Sequence, residues 1–430
     1  MPTHLPGRRH FLQALGLTAI GAPLATSLAA VTHNLEQVLH TVPDGDALAL
    51  QRHYFLPEDF TYLNHASIGT TPRAVHEAHV GYLALCETSP SLYIWGEPWR
   101  LLAQEVRQQA AQLMGVDADN VAITHNTTEG FNILAHGLPL GPGDEVLFSS
   151  LNHPGATVAW QRLAEQRGFS VRQFDFPIDE TARMTRSDIV ALHESQISAQ
   201  TRALVIPHID NIIGLRHPLN EIATMAKARG VQWVLVDGAQ AVGMIPVNLQ
   251  GSGVDAYATS PHKWVQSPKG LGLFWVTSDL QSILSPMWHR TPDKGLAGSA
   301  RQYEDYSTRA WPAVVALGDA LAFQAALGEQ QKQARYQAIW SRIKQRVDAE
   351  QKLSWLSPSD WANGSMIVGV RVEGRSARDI AAILDSQHKV DLRAFGGSQM
   401  NHLRLAPNMA TTDAQLDRVL DLLLGFAAQA

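Results

Sequence analysis

Short apolar runs alternate with helical segments between residues 121 and 276, and this alternation constrains the fold more than any other feature of the chain. Strands that alternate with helices are typical of a parallel sheet covered by helices on both faces, so the sequence predicts an α/β fold. The run 271–276 directly follows the turn 260–270, and such a short connection predicts one antiparallel strand. The runs cover residues 121–124, 145–148, 203–206, 233–236 and 271–276.

Two ionisable residues lie within this pattern. Asp237 directly follows the run 233–236, and Lys263 lies further on, in the turn 260–270. Ligands of open α/β sheets bind at the carboxyl ends of the strands, and an unpaired buried carboxylate there is costly. A strand-end carboxylate, followed by a lysine in a turn rich in phosphate-binding side chains, is what pyridoxal phosphate (PLP) chemistry requires.

Each residue has a chemical role in that hypothesis. The Lys263 amine forms a Schiff base with the cofactor aldehyde, and Asp237 keeps the ring nitrogen protonated, so that the ring accepts electrons from a substrate carbon. Gln240 can hydrogen-bond the phenolic oxygen of the ring. Taken singly, Asp237 is also typical of a helix N-cap and Lys263 of a solvated surface lysine. Their order and spacing favour the cofactor site.

The sequence from Tyr62 to the C-terminus resembles the class V aminotransferase family of fold-type I PLP enzymes. This family includes cysteine desulfurases, kynureninases and isopenicillin N epimerase-like proteins. The resemblance implies a large PLP-binding domain over residues 61–311, built on a mostly parallel seven-stranded sheet. It also implies a smaller α+β C-terminal domain over residues 312–430.

By this resemblance, a set of hydroxyl and imidazole groups binds the cofactor phosphate. Thr127 and Thr128 lie between a strand and a helix, where hydroxyls and N–H groups form an anion cradle. The same two residues are also typical of an ordinary N-cap. Ser260 and His262 flank the lysine and match further phosphate ligands; a histidine there can donate a charge-assisted hydrogen bond.

Other residues match positions near the cofactor ring and the substrate. His153 matches a histidine that stacks on the ring and moves protons, a task suited to imidazole. Asn211 matches an asparagine near the ring hydroxyl. Asn64 lies in the segment 62–69 that enters the active site and is assigned to substrate binding. Arg404 matches the arginine that orients a substrate α-carboxylate, with an ordinary strand-end arginine as the alternative.

Residue 308 connects the site to oligomerisation. Thr308 resembles a threonine that reaches the phosphate of the partner subunit, which implies a homodimer with shared active sites. Ser307 stands where the family has glycine, so the backbone geometry at this position is an open question.

The regions outside the sheet have their own patterns. After residue 312, we expect one long helical stretch over 313–351, short strands over 366–372, and helices over 377–386 and 412–426. Upstream, the helical pattern of 73–114 is interrupted by prolines and aromatic residues, which predicts an aromatic loop. That loop either flanks a wide substrate mouth or packs at a dimer interface. Its aromatic residues are Tyr93, Trp95 and Trp99.

The N-terminus has the pattern of an export signal. Arg8 and Arg9 precede a weakly apolar stretch and small residues that end near Ala30. The pattern resembles a twin-arginine (Tat) signal peptide over residues 1–30, followed by an arm over 31–60. It implies the Tat export machinery as a partner and a periplasmic location; a fortuitous tail is the alternative.

Composition limits the other function classes. The chain has 430 residues, a formal net charge of −6 and 45% hydrophobic residues, as expected for an ordinary globular protein. Mild acidity and the lack of a basic run beyond the N-terminus give no support for nucleic-acid binding. The histidines show no HExxH motif or Cys/His cluster, so we expect no metal site.

The reaction itself remains open at this stage. Lys263 is a natural general base at a substrate α-carbon, in transamination, epimerisation, elimination or decarboxylation. Family desulfurases carry persulfide on a C-terminal loop cysteine, whereas the only cysteine here is Cys86.

The class V sequence combined with export most closely resembles the periplasmic enzymes that modify a glutamic acid of pyoverdine siderophore precursors. The alternatives are an exported aminotransferase or epimerase of a free amino acid, and a non-catalytic PLP-binding scaffold. The presence of Lys263, Asp237 and Arg404 argues against the scaffold. Transamination and oxidative decarboxylation are not distinguished.

Overall fold

The computed structural model of the protein describes residues 47–288, 296, 298–397 and 400–429. Its largest sheet has seven strands, of which only the second in spatial order runs antiparallel to its neighbours. The predicted α/β fold with a mostly parallel seven-stranded sheet and one antiparallel strand is therefore confirmed. In spatial order the strands are Val121–Thr124 (β2), Gly272–Val276 (β8), Ala256–Thr259 (β7), Trp233–Asp237 (β6), Thr201–Pro207 (β5), Glu145–Ser149 (β3) and Ser170–Phe174 (β4).

Helices cover both faces of this sheet. Along β6, Val234 and Val236 belong to one apolar cluster and Leu235 belongs to another, so the strand is buried on both sides. Such a strand is apolar without alternation, which explains why it was visible in the sequence. The helices up to β8 are Ala47–Gln51 (α1), Arg73–Thr88 (α2), Pro90–Trp95 (α3), Glu97–Met114 (α4), Thr127–Gly137 (α5), Val158–Arg167 (α6), Arg186–Gln196 (α7) and Leu219–Ala228 (α8).

The C-terminal part forms a second, antiparallel sheet of four strands. Its spatial order is Arg393–Phe395 (β12), His402–Leu405 (β13), Val368–Val372 (β10) and Leu353–Trp355 (β9). Strand β1, Thr61–Tyr62, pairs with β11, Val390–Asp391, and brings the segment after residue 62 to this sheet. The remaining helices are Ser278–Gln281 (α9), Trp311–Leu327 (α10), Glu329–Asp348 (α11), Ala377–His388 (α12) and Asp413–Ala428 (α13).

The stretch predicted as helical over 313–351 is helical except at Gly328 and residues 349–351. Only its continuity is wrong. Two helices, α10 and α11, meet at Gly328, whose φ of 71° ends the first helix. Glycine adopts this left-handed conformation without the steric cost that a side chain brings. The domain boundary between residues 311 and 312 stays a prediction, and α10 begins at Trp311.

The aromatic loop predicted around residues 89–99 is also wrong, because this region is helical. Tyr93 and Trp99 are buried together, with ring centroids 5.3 Å apart, in a cluster with the helix α2. Only Trp95 is exposed, at 46% of its surface. Two of the three aromatic residues are therefore core residues and do not line a substrate mouth.

The predicted signal peptide, residues 1–30, and the first part of the predicted arm, 31–46, lie outside the described residues. Within the described part of the arm, Leu50 and Tyr54 are buried in the main apolar cluster. No single helix in the described ranges is both long enough and apolar enough to cross a membrane.

Candidate active site

A cavity of about 360 Å³ lies at the carboxyl ends of the parallel strands. Pro207 and Asp237, the last residues of β5 and β6, both line it. This is the edge at which open α/β sheets bind ligands. The cavity brings together most of the site residues predicted from the sequence, namely Thr127, Thr128, His153, Asn211, Asp237, Gln240, Ser260, His262 and Lys263.

Asp237 and Lys263 form the charged centre of this cavity. Burial raises the pKa of the Asp237 carboxyl. The N–H of Ala239, which donates 3.0 Å to its Oδ1, lowers this pKa, as do the charge of Lys263 and, when its ring is protonated, that of His153. Burial lowers the pKa of the Lys263 amine to about 8, against the opposing effect of Asp237. A lysine with this pKa is partly unprotonated near neutral pH, so it can act as a nucleophile or a base.

The N-terminus of α5 and the lysine turn form an anion cradle. The backbone N–H of Thr127 donates 3.0 Å to the hydroxyl oxygen of Ser260, and the two hydroxyl oxygens are 2.8 Å apart. Asn126 caps the helix by accepting from the N–H of Glu129, so Thr127 and Thr128 are not the cap itself. A Cβ at Gly155 would lie 2.5 Å from Oγ1 of Thr128, so glycine keeps this side of the cradle open.

His262 has a defined tautomer beside this cradle. Its Nδ1 lies 3.0 Å from the carbonyl oxygen of Leu271, which only accepts, so Nδ1 carries the proton. Burial lowers the pKa of His262 to about 4. Donation to a phosphate from Nε2 therefore requires the protonated ring, which a nearby dianion favours.

His153 has the opposite tautomer. Its Nδ1 accepts from the N–H of Gly155 at 3.0 Å, so the proton of the neutral ring is on Nε2. Burial lowers the pKa of His153, and the charge of Asp237 partly restores it. The ring is thus neutral near pH 7 and presents an N–H group to its surroundings.

Arg404 and Asn64 do not line the cavity but contact residues that do. The guanidinium donates to the main-chain oxygen of Asn211 at 2.8 Å, to Oδ1 of Asn64 at 2.7 Å and to the hydroxyl of Ser67 at 2.6 Å. Arg404 is 2% exposed, and no carboxylate of the described residues forms an ion pair with it. Burial lowers its pKa to about 10.

Thr308 is exposed and lies outside the cavity of its own chain. Its role toward a partner subunit stays a prediction. Ser307 has a φ of 109°, a conformation that favours glycine, so the backbone here keeps the glycine-like geometry despite the serine.

The lining also contains residues that the sequence analysis did not assign to the site, among them Ser67 and His125. Ser67 lies in the segment 62–69, which was assigned to the active site without naming this hydroxyl. His125 directly precedes the N-cap of α5, and its ring nitrogens lie 2.9 Å from a carboxylate oxygen of Glu129 and 2.9 Å from the hydroxyl of Tyr306. Its place next to the Asn-Thr-Thr block was a visible signal.

A family comparison agrees with this geometry. Residues 61–416 match the family model described as aminotransferase class-V, which covers most of the chain. The chain belongs to the class-V aminotransferase family. It is therefore a PLP-dependent enzyme, related to epimerases and cysteine desulfurases.

Individual relatives span nearly the same length. An isopenicillin N epimerase from Streptomyces clavuligerus is 27% identical over 378 residues, covering 84% of this chain and 93% of the relative. A probable cysteine desulfurase from Pseudomonas aeruginosa is 30% identical over 348 residues, covering 77% and 83%. Among solved structures, a variant of C-DES with glycine covalently linked to its PLP cofactor has a TM-score of 0.76 and 24% identity, covering 87% and 98%.

The residues of the cavity fit PLP. The lysine supplies an amine of lowered pKa, Asp237 supplies a carboxylate for a ring nitrogen, and the Thr127–Ser260 cradle supplies donors for a phosphate. Glycine at position 155 leaves space beside that cradle. In the described ranges, no group of three or more His, Cys, Asp or Glu side chains is placed to hold a metal ion.

Proposed function

We propose that this enzyme acts at the α-carbon of an amino-acid moiety that carries a free α-carboxylate. The observation that carries the proposal is the position of Arg404, a buried guanidinium that donates only to neutral oxygens beside the cavity. A buried cation without an anionic partner is costly, and a carboxylate ligand offsets that cost with charge-assisted hydrogen bonds.

Three residues that line the cavity supply the proton chemistry. When bound, PLP supplies an electron sink for the substrate carbon. Lys263, with a pKa lowered to about 8, takes or returns the proton at the α-carbon. The Nε2–H of His153 is placed to donate to an oxygen or nitrogen in the cavity, and Asp237 holds a positive ring nitrogen by charge.

We propose a peptidic siderophore precursor of the pyoverdine type as the substrate, with its glutamic acid as the residue modified. The Arg8-Arg9 pattern supports export of the folded enzyme through the Tat machinery to the periplasm. The position of Cys86 supports a reaction other than desulfuration: this only cysteine is buried among Tyr82, Tyr93 and Trp99, none of which lines the cavity.

The second candidate is epimerisation or transamination of a free amino acid after export. The 27% identity to an isopenicillin N epimerase favours it. A non-catalytic PLP-binding scaffold is the weakest candidate, because a scaffold has no need of the buried Arg404 or of an amine with a pKa near 8.

We also propose that the active enzyme is a homodimer with shared active sites. Thr308 is exposed beside Ser307, whose φ of 109° preserves the geometry of the family's glycine. In a mixed dimer of Thr308→Ala and wild-type subunits, PLP binding should weaken at the site of the wild-type subunit, which loses its partner's hydroxyl. It should stay unchanged at the site of the variant subunit. Titration with PLP, with each site in turn disabled by Lys263→Ala, measures this.

Product mass spectrometry tests the substrate. The holoenzyme is incubated with a glutamate-bearing siderophore precursor, with and without oxygen, beside the Lys263→Ala variant as the matched control. A mass change that needs Lys263 supports the proposal, and dependence on oxygen distinguishes oxidative decarboxylation from transamination. An unchanged precursor, together with turnover of free amino acids, favours the second candidate.

Location is tested separately. Fractionation of cells that express the full chain should find it in the periplasm, and the double change Arg8→Lys, Arg9→Lys should retain it in the cytoplasm. An unchanged distribution would remove the Tat machinery from the proposal.

A further inference from the structure

The carboxamide of Gln240 lies between two fixed partners. Its Oε1 accepts from the indole N–H of Trp264 at 2.7 Å, and its Nε2 donates to the main-chain oxygen of Ala66 at 2.9 Å. Gln240 and Trp264 are 3% and 2% exposed, so water does not compete for either bond. The amide also lines the cavity.

These partners determine which way the amide faces. An indole nitrogen only donates and a backbone carbonyl only accepts, so a flipped Gln240 would lose both bonds and oppose donor to donor. Leaving a buried polar group unpaired costs free energy, which makes the flipped state unfavourable. The Nε2 group keeps one further N–H, and Gln240 therefore presents a donor to the cavity.

Trp264 is itself held rigidly. Its ring packs edge-on against Tyr336, with centroids 6.2 Å apart, and tilted against His65 at 6.3 Å. The backbone is confined as well, because a Cβ at Gly243 would lie 2.6 Å from the carbonyl carbon of Trp264. Since Trp264 directly follows Lys263, the indole is anchored to the same turn as the reactive amine.

The other partner of the amide belongs to the substrate side. Ala66 lies between Asn64 and Ser67, and both of these accept hydrogen bonds from Arg404. Gln240 thus joins the lysine turn to the segment that holds the carboxylate-binding arginine. The Gln240 side chain therefore connects the turn that contains Lys263 with the segment that contacts Arg404.

We propose that Trp264 is a positioning residue that orients Gln240, so that this side chain donates a hydrogen bond to the cofactor's phenolic oxygen. The inference rests on the proposed PLP chemistry at Lys263 and on the expectation from the sequence that the phenolic oxygen lies next to Gln240. Trp264 does not touch the cofactor in this arrangement. It acts through Gln240, because its indole N–H is satisfied only when the amide oxygen faces it.

Visible absorbance of the holoenzyme tests this inference without an activity assay. A donor to the phenolic oxygen stabilises its anionic form, so loss of the donor raises the pH midpoint of the absorbance change of bound PLP. For Trp264→Phe we expect the midpoint to rise by about half a unit to one unit, the effect of one hydrogen bond. The matched control is Trp355→Phe, which removes an indole N–H that donates 3.0 Å to Pro358, in a sheet strand that does not line the cavity.

A second variant keeps the test decisive if Trp264→Phe does not fold. Gln240→Met preserves the length of the side chain and removes its donor, so it should raise the midpoint by the same amount. When both single variants fold, their combination should shift the midpoint no further than either alone, because both changes remove one interaction.

The outcomes separate this inference from the function proposed above. If wild-type protein binds PLP and Trp264→Phe leaves the midpoint at its wild-type value while Gln240→Met raises it, the positioning role of Trp264 is overturned. Additive shifts overturn it too, as does an unchanged midpoint in Gln240→Met. Wild-type protein whose PLP absorbance does not respond to any amino acid or peptide would instead contradict the proposed function.

Discussion

Arg404 of strand β13 donates a hydrogen bond of 2.8 Å to the main-chain oxygen of Asn211, in the loop that follows β5. This bond joins the four-stranded sheet to the carboxyl edge of the seven-stranded sheet. The acceptor is rigid, because Asp210 accepts from the backbone N–H groups of Ile212, Ile213 and Leu215 at 2.7, 2.8 and 2.6 Å. The guanidinium is therefore fixed relative to the cavity before any substrate binds.

Replacing Arg404 with glutamine should lower kcat/KM for carboxylate-bearing substrates by about 100-fold or more, because a charge-assisted contact is lost. Steady-state kinetics measure this. The corresponding amine without the α-carboxylate serves as the comparison substrate, and its smaller kcat/KM should change little. An equal loss for both substrates would show that Arg404 acts on the fold and not on the carboxylate.

Lys263 is the expected point of covalent attachment of PLP. Borohydride reduction of the holoenzyme, followed by proteolysis and mass spectrometry, should place the reduced cofactor on the peptide that contains Lys263. Lys263→Ala should carry no label, whereas Lys269→Ala, in the same turn, should be labelled like the wild type. Label on another lysine would remove the basis of the proposed mechanism.

The sequence predicted those parts of the fold in which local pattern and burial agree. Strands β2, β3, β6 and β8 are buried along their length, and β5 is buried at every residue except Arg202, so each contains a continuous apolar run. Strand β4 was not predicted, because it lies at the edge of the sheet and most of its residues are partly or fully exposed. Strand β7 was not predicted either, because its sequence Ala-Tyr-Ala-Thr has no Val, Ile or Leu and does not form a recognisable apolar run.

Prolines caused the error around residues 89–99. Pro90 and Pro98 were interpreted as interruptions, yet they occupy the first and second residues of α3 and α4. Proline is tolerated there, because the first N–H groups of a helix have no partner within the helix. The prolines marked the boundaries between helices, but they did not show that another helix follows each boundary.

Most of the candidate site could be predicted, since its residues follow strand ends that meet at one edge. The hydrogen bonds that connect these residues across the fold could not be predicted. Asn64 and Arg404 are 340 positions apart, and their bond depends on the pairing of β1 with β11. The orientation of Gln240 likewise depends on Trp264 and Ala66, which no local pattern relates to it.

Glu304 anchors the segment that leads to Ser307 and Thr308. Its carboxylate accepts from Arg107 at 2.6 and 2.9 Å, lies 3.3 Å from Arg309 and accepts from the N–H of Ile123. The Glu304→Ala change leaves two buried guanidiniums without an anion and should lower the free energy of unfolding by about 3–5 kcal/mol.

Denaturant unfolding measures this loss. The control is Glu221→Ala, which breaks the exposed pair with Arg186 and should change the midpoint little. A small effect of Glu304→Ala would mean that water or a neighbouring acid replaces the carboxylate.

The position of Cys86 provides a test of the proposal that the reaction is not a desulfuration. Cys86 is buried and is not among the residues that line the cavity, so Cys86→Ala should keep kcat/KM within about twofold of wild type. Thermal unfolding reports any loss of packing separately. A large fall in kcat/KM with an unchanged unfolding temperature would revive a desulfurase-like mechanism.

A cluster of buried histidines should make the fold sensitive to acid. Burial lowers the pKa of His193 to about 4 and of His208 to about 3, and it lowers that of His217 well below its usual value. The rings of His193 and His217 lie 5.5 Å apart, so each also disfavours a charge on the other. In the unfolded chain these histidines bind protons near pH 6.5, and in the folded chain they do not.

The sign of the effect follows from this difference. Because the unfolded state binds more protons, the free energy of unfolding is fully retained above about pH 6.5 and falls as the pH drops toward 4. Each histidine contributes about 1.4 kcal/mol per pH unit in that window. Urea unfolding of the wild type and of His193→Phe from pH 7.5 to 4.5 measures how the free energy of unfolding changes with pH. This slope should be smaller in the variant by the amount that one bound proton contributes. The control is Phe174→Leu, because the ring of Phe174 packs 5.4 Å from that of His193. This change should lower the free energy of unfolding equally at every pH. Equal slopes in His193→Phe and the wild type would contradict the conclusion that His193 is neutral in the folded chain.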